Sequence, residues 1–134
     1  MQKTQIYWML KAIKNLLKAN ALLFSILITS AIAYLSLVKA PVIPYEVSNL
    51  DKVQHSFAYF VLTLSWFFTL KTNFLKYKYV VVISCFFYGI LLEVLQSTIT
   101  SLRTGDVFDV FANSIGVTAA FFVFIRIYKK NKAI

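Results

Sequence analysis

Asp51, His55 and Tyr59 recur at i, i+4 and i+8, a spacing that stacks three side chains on one face of a helix. Asp106, Asp109, Asn113 and Gly116 follow at i, i+3, i+7 and i+10, which at about 100° per residue keeps them within one narrow stripe. Glu93 and Gln96 stand three residues apart with Gly89 one turn before Glu93, and Arg103 lies just ahead of the third group. Carboxylates beside an imidazole can pass protons, so Glu93, His55 and Asp109 are the candidate catalytic residues. Arg103, Asp51, Gln96, Asp106, Asn113 and Tyr59 are the candidate substrate-binding residues, because a guanidinium grips an anionic group through two parallel hydrogen bonds.

Each of these residues has a second reading. His55 fits a structural histidine bonded to a carboxylate as well as a general base or metal ligand. Asp106 fits a helix cap, and Arg103 fits an ion pair with Asp106 or Asp109. Asp51 and His55 could hold a metal with Glu93 or Asp109, yet one histidine among scattered carboxylates is a weak metal signature. No metal or cofactor is required by the sequence. No serine or cysteine nucleophile stands out, which leaves a hydrolytic triad unsupported.

The elements that must position these residues follow from composition. The chain has 134 residues, 60% of them hydrophobic and 17% aromatic, outside the range of soluble domains. A bilayer core needs roughly 20 mostly apolar residues per helix, and four stretches qualify, at about 21–38, 52–70, 79–96 and 107–128. The second is the weakest, since its apolar part, Phe57 to Leu70, is too short to span alone. Ahead of them, Ile6, Met9, Leu10, Ile13, Leu16 and Leu17 recur at helical spacing while Lys11, Lys14 and Lys18 share another face. Residues 1–19 therefore read as a short amphipathic helix lying in the interface. The expected fold is all-α, a single-domain integral membrane four-helix bundle.

Charge orients it. Of the 14 basic residues, eleven precede the first stretch, lie between the second and third, or close the chain. Lys39, Lys52 and Arg103 occupy the other two loops. The positive-inside rule then puts both termini in the cytoplasm. It also accounts for the net charge of +9 without nucleic acid, since no soluble domain remains to bind it. Ala31-Ile32-Ala33 resembles a signal-peptide cleavage site, but the apolar run continues past it, and an uncleaved helix is expected. Cys85 has no partner in the chain.

With that topology every polar stripe falls at the outer end. Pro41 and Pro44 stop the first helix, Ser48 or Asn49 can cap the second, and Gly105 allows the turn before Asp106. Lipid-facing carboxylates are costly, so the stripes should face one another and line a pocket open to the outside. Gly89 and Gly116 would let helix backbones approach closely below it.

"DKVQHSFAYFVL" (51–62), "GILLEVLQ" (89–96) and "RTGDVFDVFANSIGV" (103–117) resemble, in order and spacing, the three motifs of the VanZ-like family of bacterial membrane proteins. The first stretch agrees with that family only in being hydrophobic. The resemblance carries over Asp51, Lys52, His55 and Tyr59, then Gly89, Glu93 and Gln96, then Arg103, Asp106, Asp109, Asn113 and Gly116. It implies a multi-pass protein of the bacterial inner membrane, in a family named for a protein associated with resistance to the glycopeptide teicoplanin. It supplies no mechanism.

Two functions compete. One is a membrane enzyme acting on a lipid-linked or cell-wall-related substrate, with Glu93 or His55 as general acid/base, Asp109 orienting it, and Arg103 holding an anionic group. The other is a non-catalytic module that binds a lipid headgroup, an antibiotic or a partner. A transporter is disfavoured because the inner halves of the helices read as apolar. The expected partners are membrane lipid and a wall precursor or anionic headgroup at the outer leaflet; the sequence leaves the oligomeric state open.

Overall fold

The computed structural model describes residues 2–38, 48–99 and 106–132. Four helices account for nearly all of them: α1 (Gln2–Leu37), α2 (Ser48–Thr69), α3 (Phe74–Ile99) and α4 (Val107–Lys132). A single 3₁₀ turn, Lys71–Asn73, joins α2 to α3. That connection is tight: Leu70 N donates to the Trp66 carbonyl and Asn73 N to the Leu70 carbonyl.

Three of the helices are long and apolar enough to cross a membrane, over Thr4–Leu37, Lys71–Ile99 and Val107–Asn131. α2 falls short because Asp51, Lys52, Gln54 and His55 crowd its first turns. It compensates by position, for it packs against all three of the others and most closely against α4. At about 1.5 Å per residue its 22 residues still reach about as far as a bilayer core is thick. A helix that is polar at one end and central in the bundle hides its polarity from lipid.

Each helix of the α2–α3–α4 core buries one stripe. On α3 the stripe is Phe74, Val81, Cys85, Gly89, Leu92, Glu93 and Gln96. On α4 it is Asp109, Ala112, Asn113, Gly116, Val117, Ala120 and Phe124. Both run at three- and four-residue steps, as a helix face must. The opposite faces expose Phe87, Leu91, Phe111 and Phe122, which is how a bundle presents itself to hydrocarbon. Phe67, Phe74 and Phe124 form the aromatic centre of the core, with ring centroids 4.7–5.2 Å apart.

Gly116 sets the separation of α2 and α4. A Cβ there would collide with the Ser56 carbonyl oxygen and lie 2.9 Å from the Phe60 nitrogen. Gly89 is also close-packed, with Asn113 Nδ2 at 3.1 Å and Tyr59 Cε1 at 3.2 Å from where a Cβ would sit. The expected close approach at both glycines is therefore present, backbone to backbone at the first and backbone to side chain at the second.

α1 differs from expectation. No break separates an interfacial helix at 1–19 from a span at 21–38; one helix of 36 residues runs through both. The sequence between them, Lys18-Ala19-Asn20-Ala21, has neither glycine nor proline to interrupt it. At about 1.5 Å per residue the helix reaches about 54 Å, well beyond a hydrocarbon core of about 30 Å. Its described side chains up to Asn20 are exposed. Ser25 is its one buried residue among those described, bonded to Thr69 Oγ1 at 2.9 Å.

Candidate functional site

The end of α1, the start of α2, the end of α3 and the start of α4 lie at the same end of an up-and-down bundle, and the polar stripes meet there. His55 is the hub. Its Nδ1 lies 3.1 Å from Asn113 Oδ1 and 3.8 Å from Glu93 Oε1. Its Nε2 faces Asp51 Oδ1 at 3.8 Å and Asp109 Oδ2 at 3.9 Å. Three helices thus bring four acceptor-bearing side chains around one imidazole. Glu93, Asp109 and Asn113 are buried, while Asp51 and His55 are partly accessible.

Lys52 supplies the matching positive charge. Its ammonium lies 3.1 Å from Asp106 Oδ2 and 3.5 Å from Asp109 Oδ1, bridging the first turns of α2 and α4. Asp106 is also the N-cap of α4. Its Oδ1 accepts from the Phe108 N–H at 2.9 Å, and its carbonyl accepts from the Asp109 N–H. That backbone hydrogen bond first, and the Lys52 ammonium second, hold the Asp106 carboxyl below its usual range. The capping reading of Asp106 is therefore correct. Arg103, the other cation expected here, lies outside the described residues, as do Gly105, Pro41 and Pro44.

Gln96 and Tyr59 are brought to the same end of the bundle. Gln96 Nε2 donates to the Ser36 carbonyl of α1 at 3.0 Å, tying α3 to α1. Tyr59 is buried beneath His55, one turn on, and its ring packs 6.4 Å from that of Tyr88. Tyr88 in turn donates to the Thr29 carbonyl at 2.6 Å.

A cavity of about 180 Å³ opens beside the cluster between α1 and α2. Asp51, Gln54, His55 and Ser36 form its polar wall, and Ile32, Leu35, Ala58 and Tyr59 its apolar one. His55 stands where the cluster meets this space. A second cavity of about 340 Å³ lies deeper, among Thr29, Leu62, Trp66, Val81, Cys85 and Tyr88.

Three features escaped the sequence reading. Lys52 was counted as a loop charge but reached the site only through the family resemblance, although a lysine directly after Asp51 was the available signal. Ser36 and Gln54 line the cavity, and Ser36 gave no signal within an apolar run. The halves of the helices away from the polar cluster are less apolar than they read. Trp66 Nε1 donates to Thr29 Oγ1, and Ser25 meets Thr69, so α1 is attached to α2 there by hydroxyl groups.

A bundle of apolar-faced helices with a charged cluster buried at one end defines a membrane protein with an internal polar site. The chain belongs to the VanZ/LLP1 family, whose model matches residues 4–128. It is also similar to an uncharacterized protein of Schizosaccharomyces pombe, 33% identical over 115 residues that make up 85% of this chain and 67% of the relative. The likeness to a yeast protein means that similarity alone does not place the chain in a bacterial membrane. No solved structure matches the chain.

Proposed function

We propose that the protein is a membrane-embedded enzyme acting on an amphiphilic substrate, a lipid or lipid-linked headgroup, at the polar end of the bundle. One observation carries this reading: His55 has a buried carboxylate within 4 Å of each ring nitrogen and borders a cavity with one polar and one apolar wall. Drawn in to hydrogen-bond distance when substrate binds, an imidazole and carboxylate so placed would exchange a proton, and the mixed walls suit a molecule with a polar head and a hydrocarbon tail. Glu93 and His55 are the acid–base pair, with Asp109 orienting the imidazole. Asp51 completes the binding surface, Asn113 holds the imidazole from its buried side, and Arg103 is the group for an anionic head.

The distribution of basic residues supports a placement of this end away from the cytoplasm, with both termini inside. A cell-wall precursor, and through it glycopeptide resistance, is one member of the substrate class. The yeast relative favours a substrate not confined to bacterial walls. The second reading is a non-catalytic headgroup-binding module, favoured by the engagement of Asp109 and Asp106 with Lys52, which is an arrangement that also serves structure alone.

The test is to incubate the purified protein in detergent with lipid extracts and follow new species by mass spectrometry. Wild type should form a product and Glu93→Gln should not, while both retain the same lipids on purification. Retention of lipid by wild type with no product from any extract would favour the binding module.

A further inference from the structure

We propose that Asp51, His55 and Asp109 form a binding site for a divalent first-row cation such as Mn²⁺ or Zn²⁺. One ligand atom from each lies within 4.8 Å of the other two, so a modest adjustment of side chains brings all three to a common ion at about 2.0–2.2 Å.

The surroundings argue for a cation in that space. The His55 Nδ1–H donates to Asn113 Oδ1 at 3.1 Å, which leaves the Nε2 lone pair directed at two carboxylates. Asn113 is 2% exposed and its Nδ2 has no hydrogen-bond partner, so its carbonyl is the group committed to the ring. A metal-bound histidine usually donates its other ring N–H to a fixed oxygen acceptor that sets its tautomer, and the Asn113 amide oxygen can serve as that acceptor. Nε2 sits 3.8 Å and 3.9 Å from its carboxylate neighbours, too far for hydrogen bonds and close enough to share an ion.

Charge points the same way. Among the described residues the cluster gathers four carboxylates, Asp51, Glu93, Asp106 and Asp109, against Lys52 and His55. Lys52 is taken up by Asp106 and by the Oδ1 of Asp109, while the Oδ2 of Asp109 turns to His55. One imidazole with two carboxylates suits Mn²⁺ or Zn²⁺, and the cavity bordering Asp51 and His55 leaves the remaining coordination positions open to a ligand. With Nε2 and Asp109 on a metal, His55 is a ligand and no longer half of an acid–base pair, and Glu93 beside Nδ1 alone takes over the proton-moving role given to that pair in the proposed function. The proposal is independent of turnover, because binding of the ion is read without any substrate.

The experiment uses the full chain in detergent, stripped with chelator and re-equilibrated with Mn²⁺ or Zn²⁺ in turn. Metal content is measured by plasma mass spectrometry and Mn²⁺ affinity by electron paramagnetic resonance. Wild type should hold one ion per chain. Asp51→Asn and His55→Gln should weaken it at least tenfold while keeping wild-type helicity, and Ser97→Ala, an exposed change elsewhere on α3, should leave it unchanged. The Asp51 variant guards against misfolding, since the residue is partly exposed in the first turn of α2. Wild type that takes up no ion, or binding equal in all variants, would overturn the site.

Discussion

The two ends of the bundle are built on opposite terms. At one end α2, α3 and α4 meet through Phe67, Phe74 and Phe124, with Phe121 and Tyr128 packed around them. At the other the same three helices meet through His55, Glu93, Asp109 and Asn113. The aromatic end gains from close packing, the main force between helices where lipid tails are as apolar as the side chains. The polar end takes charged groups out of water, and apolar residues of similar volume would hold such a contact equally well or better. Stability therefore explains the first region and does not by itself account for the second.

The contrast can be broken or sharpened by substitution. The largest effect should come from Gly116→Val, which forces α2 and α4 apart and so disrupts both ends; the variant is expected to give no monodisperse protein on size exclusion in detergent. Glu93→Gln should reduce turnover on lipid substrate by about 10²–10⁴-fold, the range for loss of a general acid or base. Its thermal unfolding should be no lower than wild type, since an amide is cheaper to bury than a charge. Phe67→Ala should do the reverse: a loss of stability of about 3 kcal/mol, the lower part of the soluble range because the transfer term is weak in lipid, with catalytic rate kept in the folded fraction. Asp106→Ala should lose about 1 kcal/mol, as removal of an N-cap does, read by chemical denaturation in detergent. Equal losses of stability at Glu93 and Phe67 would erase the distinction between the ends.

Much of this was legible from residue spacing. The positions of four helices follow from the apolar runs, and the facing of the polar stripes follows from the cost of exposing carboxylates to lipid. The glycines could be read because a stripe of large residues with one gap implies a neighbour in the gap. What stayed hidden depends on rotation and on main-chain atoms. Gln96 shares a stripe with Glu93, yet its long side chain reaches a carbonyl on α1 that no sequence pattern marks. The pairing of Lys52 with Asp106 and Asp109 joins residues over fifty positions apart, and periodicity within one helix says nothing of that. The continuity of α1 was hidden because an amphipathic segment and an apolar run can share one helix with no change of backbone.

The bonds from Tyr88 and Gln96 to α1 end on the carbonyls of Thr29 and Ser36, and every residue type offers a carbonyl. α3 thus grips the C-terminal half of α1 by its backbone, and substitution there leaves that grip intact so long as the helix and its apolar character survive. Apart from Ser25 and Thr29, whose hydroxyls bond α2, this leaves the sequence of α1 freer to drift, and a comparison of many relatives should find it diverging fastest while the three motif-bearing helices change slowly.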